Sequence, residues 1–209
     1  MFTRGSFVRL FTFSLVVAGV YAALFQSSAQ TALPKEIVDL VPKTAVHPSG
    51  TWGGSGPLRM GSLVAELRAD HPCTDSKTPG HLSVQLIYYA DKSPLLSQQL
   101  ASTEQQYAEK KKRFESDMAR APQNQWPRLI HWGPVKTEDG PGGKLVYYDS
   151  LVDCSEYKHM ERPEVWLFAI SHTDRFFAEI EITGNLNGEE GKAVATEVMT
   201  NISKADLSK

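Results

Sequence analysis

The sequence predicts an α+β fold in which an antiparallel sheet of about six strands is covered by two helices. Several segments alternate apolar and polar residues and follow one another through short turns, a pattern typical of antiparallel strands. Two other segments repeat apolar residues every three or four positions, as amphipathic helices do. Such helices need an apolar surface to cover, and the sheet provides it. The predicted order is β-β-α-β-β-β-β-α.

The order begins with two strands and a long helix. Residues 62–69 and 81–91 are strand-like, and the second segment alternates clearly (HLSVQLIYYAD). Ser93 is a suitable N-cap and Pro94 suits the first helical position. Ser102 and Gln105 resemble a second capping box, which predicts that the helix breaks or restarts there. The predicted apolar stripe consists of Leu96, Leu100, Tyr107, Phe114 and Met118.

Four strands and a closing helix complete the predicted domain. The strand segments are 128–135, 144–154, 164–171 and 175–183, and residues 172–175 are predicted to join the last two as a hairpin. Strand 175–183 is expected to point Phe176, Ala178, Ile180 and Ile182 inward. Acidic residues in the first turn favour the closing helix, whose stripe is Val194, Val198, Ile202 and Ala205.

The N-terminus has the pattern of a secretory signal peptide. Arg4 and Arg9 precede an apolar run over residues 10–25, and small residues follow up to Ala29. The run is about 16 residues long, shorter than the roughly 20 that a membrane-spanning helix needs. We therefore predict a signal peptide over 1–29, with a retained N-terminal anchor as the alternative, and a periplasmic or secreted mature protein.

The rest of the chain divides into an arm and one domain. Residues 30–61 contain four prolines and a glycine-rich stretch, GTWGGSGP, which predict an irregular N-terminal arm or linker. Residues 62–209 form the single α+β domain. Its size suffices for one hydrophobic core.

Charge and cysteine content exclude some classes of protein and favour others. Without Arg4 and Arg9, 20 of the 22 basic residues remain against 24 acidic ones, a net charge of −4. Such a surface does not attract nucleic acid. Because export places the chain in an oxidising compartment, Cys73 and Cys154 are predicted to form a disulfide.

The element order resembles that of the PsbP-like alpha/beta/alpha sandwich family, which includes extrinsic photosystem subunits and small bacterial envelope proteins. The resemblance covers residues 62–203. It depends on the long helix after SVQLIYYAD and on the ending RFFAEIEITGN, followed by the helix AVATEVMTNI. It implies a non-catalytic exported module for binding or assembly, and it transfers no site residues.

Two alternatives involve metal binding or nucleophilic catalysis. His71 and Cys73 lie two residues apart and Cys154 and His159 five apart, so the two segments together offer the ligands of a Cys2His2 zinc site. A disulfide between the cysteines is the competing interpretation. Cys73 beside His71 also has the residue types of a thiolate pair, but pairing with Cys154 would consume that nucleophile.

A third alternative is an extracytoplasmic hydrolase. Glu179 and Glu181 point to the same side of one predicted strand, about 6.5–7 Å apart by strand rise, and glycoside hydrolysis uses such carboxylate pairs. A cleft that gathered His131, His172 and these two glutamates would favour an enzyme.

Aromatic side chains are the candidate binding residues. Tyr88–Tyr89 and Tyr147–Tyr148 are neighbours on strands, so one member of each pair faces each side of the sheet. If one face is open, Tyr89, Tyr148 and Trp166 are available to stack a sugar or a peptide; otherwise they belong to the core.

The leading functional prediction is an exported, non-catalytic binding or protein-interaction module of the cell envelope. Its partner is a protein or a small ligand in the extracytoplasmic space, and neither nucleic acid nor any cofactor is expected. Contact with the membrane is predicted only through an uncleaved leader. An extracytoplasmic hydrolase and a structural zinc-binding domain are the alternatives.

Overall fold

The computed structural model describes residues 33–68, 80–91, 93–120, 128–153 and 161–208. These residues form an α+β fold, which confirms the predicted class. The helices are α1 (Lys35–Val38), α2 (Pro94–Arg120) and α3 (Gly188–Lys204). The strands are β1 (Ala45–Ser55), β2 (Leu58–Leu67), β3 (Gly80–Tyr89), β4 (Arg128–Trp132), β5 (Lys136–Gly140), β6 (Gly143–Asp153), β7 (Glu161–His172) and β8 (Phe176–Gly184). None of the helices in these ranges is long and apolar enough to span a bilayer.

All eight strands belong to one antiparallel sheet in the order β1-β2-β3-β8-β7-β6-β4, with β5 also paired to β6. Strands β3 and β8 are neighbours near the middle of the sheet, although α2 and four strands separate them in sequence. Strands β7 and β8 form the predicted hairpin, closed by a bond from Thr173 N to Phe176 O of 3.0 Å.

The sheet is covered on both faces, so the core has two layers. The α3 face packs against α3 and includes the buried Ile180, Ile182 and Leu167, together with Val198 and Ile202 of the helix. The α2 face packs against α2 through a second buried cluster: Tyr89, Leu96, Tyr107, Phe114, Val146, Tyr148, Phe168, Ile170 and Phe177. Strand β8 therefore buries residues on both faces. Phe177 is buried on the α2 face, although the alternation pattern predicted that this side of the strand points outward.

Helix α2 starts where its capping signals predict but does not break. The Leu95 N–H donates to Ser93 Oγ at 3.2 Å, and Pro94 is the first helical residue. The helix continues for 27 residues. The predicted second cap at Ser102 is wrong, because its hydroxyl donates to Gln99 O at 2.8 Å within the continuous helix.

The arm predicted over 30–61 is instead largely ordered. It contains α1, all of β1 and the start of β2, and the β1–β2 ladder pairs Thr51 with Ser62 and Ser55 with Leu58. The glycines that indicated a linker lie within this hairpin, where the strands approach closely. The predicted strand 128–135 ends earlier, at Trp132, and β5 follows it as a separate strand that was not predicted. The sheet thus has two strands more than expected.

Candidate functional site

A groove of about 390 Å³ lies between α2 and the sheet strands β6, β7 and β8. The helix and the sheet line it mainly with aromatic and charged residues: Lys110, Arg113, Phe114, Asp117, Tyr148, Trp166 and Glu181, together with Leu167 and Thr183. The helical members recur at spacings of three and four residues, so they share one side of α2. Apart from Leu167, the sheet members are on its α2 face. The helix side and the sheet side of the groove therefore come from separate segments of the chain, each with its own sequence pattern.

The floor of the groove is aromatic. Tyr148 and Trp166 are paired directly across β6 and β7, with ring centroids 5.9 Å apart and planes inclined by 61°. The Phe114 ring meets Tyr148 edge-on at 5.0 Å. Phe114 and Tyr148 are buried, whereas Trp166 stays partly exposed. Two packed rings therefore support an indole that solvent reaches.

Lys110 joins the helix to the sheet at one side of the groove. Its ammonium forms an ion pair with the Glu181 carboxylate and lies 4.8 Å from the Phe168 ring centroid, close enough for a cation–π contact. Only 18% of the Lys110 side chain is exposed, against 50% for Glu181. Lys110 is a structural cation whose partner, Glu181, still faces solvent.

Glu179 lies two residues before Glu181, and its environment is different. It is half-buried. Burial raises the pKa of the Glu179 carboxyl, and the nearby negative charge of Glu181 raises it further, while Lys110 acts in the opposite direction. Glu179 does not line the groove; its strand partners are Gln85 and Ile170.

The structure separates most of the other predicted site residues. Tyr89 is buried near the far end of β3, where its N–H donates to Arg175 O at 2.7 Å. His131 pairs with Leu151 and so belongs to the α3 face. His172 is at the end of β7. Among the candidates for catalysis or binding that the structure describes, only Tyr148, Trp166 and Glu181 line the groove.

The predicted zinc ligands and both cysteines lie outside the described residues: His71, Cys73, Cys154 and His159. Within the described part of the chain, no group of three or more histidine, cysteine or acidic side chains is arranged to hold a metal ion. The strands that precede the two cysteine-bearing segments, β2 and β6, end at Leu67 and Asp153, and both residues lie at the same end of the sheet.

Sequence reasoning does not identify four of the groove residues: Lys110, Arg113, Asp117 and Thr183. Lys110 belongs to a run of four basic residues that extends to Arg113, a pattern typical of a solvated helix face, but its side chain turns toward the sheet. A signal for this was present, since Lys110 lies three residues after Tyr107 and four before Phe114, both in the apolar stripe. A cation in that register is placed on the packed side of the helix.

Comparison with known proteins yields no relative. No protein-family model, no curated protein and no solved structure matches this chain. The resemblance in element order to the PsbP-like family therefore stays a prediction.

Proposed function

We propose that this chain is an exported, non-catalytic binding module of the cell envelope, and that the groove beneath α2 is its ligand site. The observation that carries the proposal is the partly exposed Trp166 on a buried aromatic support, with polar side chains beside it in the groove. Ligand sites are typically concave and mostly apolar, with a few polar groups that orient the ligand. Export is supported by the signal-peptide pattern of residues 1–29.

Binding without catalysis is favoured over hydrolysis by the positions of the two glutamates. A glycosidase needs both carboxyl groups beside one scissile bond. Glu181 is held by Lys110, and Glu179 lies outside the groove lining. The raised pKa of Glu179 is the property that a general acid would need, so hydrolysis is kept as the second candidate.

The binding proposal is tested with a thermal-shift panel of sugars, amino acids, dipeptides and small carboxylic acids. A ligand present at 100 times its Kd stabilises the folded state by about 2.7 kcal/mol, which gives a Tm rise of several degrees. We expect a hit with the wild type, no shift with Trp166→Leu, and an undiminished shift with Trp52→Phe, whose indole packs against the α3-face cluster.

Two further measurements distinguish the alternatives. Incubation of each hit with the protein, followed by NMR, is expected to leave the compound unchanged; turnover that is lost in Glu179→Gln would establish the hydrolase instead. N-terminal sequencing of the exported form is expected to begin at Gln30, and a chain that keeps Met1 would contradict cleavage.

A further inference from the structure

We propose that the ligand of the groove is a neutral sugar ring, as a free oligosaccharide or as part of a glycan. This inference rests on the proposed binding function and specifies the ligand class for that site. Three properties of the lining residues lead to it: their charges are balanced, their polar atoms have more hydrogen-bonding capacity than their ion pairs use, and they include an aromatic side chain that is partly exposed, Trp166.

The charges of the groove are paired within the groove itself. Lys110 binds Glu181, and Arg113 Nε lies 3.8 Å from Asp117 Oδ2 on the next turn of α2. Two cations and two anions leave no net charge among the lining residues. An anionic ligand would be repelled by Glu181 and Asp117, and a cationic ligand would be repelled by Arg113. An uncharged ligand is repelled by none of these side chains.

The polar atoms at the rim have unused hydrogen-bonding capacity. A carboxylate offers about four lone-pair sites and a guanidinium five N–H donors, more than one ion pair occupies. The Glu181 and Asp117 side chains are 50% and 53% exposed, and Thr183 adds an exposed hydroxyl. Closely spaced donors and acceptors of this kind match a ligand whose groups both donate and accept, as hydroxyl groups do.

The apolar part of the groove fits the carbon face of a sugar ring. Trp166 presents a flat indole, and its contact with Tyr148 limits the orientations that the ring adopts. A pyranose has one face of C–H groups that packs on such a surface while its hydroxyls point to the rim. An extended peptide is less suited, because the backbones of β6, β7 and β8 beneath the groove are already paired with neighbouring strands.

The test uses three neutral trisaccharides (maltotriose, cellotriose and N-acetylated chitotriose) and two charged counterparts (chitotriosamine and trigalacturonate), with titrations followed by calorimetry. We expect at least one neutral trisaccharide to bind with a Kd of about 1 mM or tighter and the charged counterparts to bind more weakly. Trp166→Leu is expected to weaken binding at least about tenfold, and Trp166→Phe less.

Matched variants separate the loss of contacts from the loss of folding. Thr183→Val removes a rim hydroxyl and is expected to weaken binding, whereas Thr51→Val alters an exposed threonine on β1, outside the groove lining, and leaves binding unchanged. Circular dichroism confirms that each variant folds.

Three results would overturn the inference. One is the absence of binding by every neutral trisaccharide. Another is binding that Trp166→Leu and Thr183→Val leave intact, which would place the site elsewhere. The third is Trp166-dependent binding of charged probes only, which would reject the neutral sugar and still support a binding function for the groove. If the broader thermal-shift panel also yields no Trp166-dependent hit, the proposed function itself fails.

Discussion

Glu179 is the residue at which burial and charge conflict most clearly. Because burial raises its pKa above the ordinary value, the folded protein retains a proton that the unfolded chain has lost in the interval between the two pKa values. The unfolded state binds fewer protons there, so the free energy of unfolding falls as pH rises through that interval. The carboxylate is thus a destabilising charge at neutral pH.

Replacement of Glu179 by glutamine removes this charge and keeps the shape of the side chain. We expect Glu179→Gln to be more stable than the wild type at about pH 7 and the difference to shrink by about pH 3.5, below the ordinary glutamate pKa. Urea unfolding at both pH values measures it. Glu115→Gln, on the exposed side of α2, is the control. A pH-independent difference would contradict the assignment.

Tyr107 joins α2 to the sheet through a single buried hydroxyl. Its O–H donates to Ile170 O at 3.1 Å and accepts from Lys144 N at 2.8 Å. Burial raises the pKa of Tyr107 to about 12, so the hydroxyl keeps its proton at neutral pH. Tyr107→Phe would leave two backbone groups of β6 and β7 without that partner.

We expect Tyr107→Phe to lower the free energy of unfolding by about 1–3 kcal/mol, the cost of unsatisfied buried polar groups. Urea unfolding at neutral pH measures this loss. Tyr88→Phe is the matched control, because Tyr88 is a partly buried tyrosine on the α3 face, and its expected effect stays within about 0.5 kcal/mol. Equal losses in both variants would show that the Tyr107 hydroxyl contributes nothing specific.

The β1–β2 hairpin is the element for which the sequence pattern gives the wrong prediction. Glycine and proline locally indicate a linker, but here glycine permits close strand approach. A Cβ added at Gly61 would lie 2.0 Å from the Thr51 carbonyl oxygen, whereas one added at Gly53 would meet no atom within 4 Å. The need for glycine arises from a partner strand, which local composition does not reveal.

We therefore expect two Gly→Ala substitutions in this hairpin to behave differently. Gly61→Ala forces the strands apart and is expected to cost about 1–3 kcal/mol or more. Gly53→Ala, in the adjacent strand, is expected to be nearly neutral. Urea unfolding with hydrogen exchange over β1 and β2 compares them. If both alanines are tolerated, the strands are not as closely paired as described.

The start of helix α3 is marked by a signal that lies within a few residues of the sequence. The Glu190 N–H donates to Asn187 Oδ1 at 2.9 Å, and the Asn187 N–H donates to Glu190 Oε2 at 2.8 Å, forming a capping box. The acidic residues Glu189 and Glu190 in the first turn favour the helix, and Asn187 supplies the cap that precedes them. Asn187→Ala is expected to lower stability by about 1 kcal/mol in urea unfolding, and Asn187→Asp, which keeps the acceptor, to preserve most of it.

Across the whole molecule, the elements were more predictable than the site. Strands β3 and β8 and helix α2 follow from alternation, helical spacing and the cap at Ser93, all of which operate within a few residues. The groove depends instead on registers that join distant segments, such as Tyr148 opposite Trp166. A strand slipped by one residue would turn Trp166 to the other face, so the identity of the aromatic residues could be predicted but their convergence could not.

The predicted disulfide is a property of the whole molecule because it would connect opposite halves of the sheet. The strand ends before Cys73 and Cys154, at Leu67 and Asp153, lie at the same end of the sheet with β3, β8 and β7 between β2 and β6. Four strand-to-strand steps of about 4.8 Å span some 19 Å. Cys154 directly follows Asp153, and the six residue steps from Leu67 to Cys73 reach about 20 Å when extended, so the chain is long enough for the two cysteines to meet.

Closing a loop of about 80 residues would add about 4 kcal/mol in the chain-entropy model. We expect the exported protein to be about 2 Da lighter than its reduced form by intact-mass measurement, and reduction to lower its Tm. Cys73→Ser with Cys154→Ser should reproduce the lower Tm and make it insensitive to reductant. Two alkylatable thiols in the exported protein would contradict the pairing, and bound zinc on those thiols would favour the metal site instead.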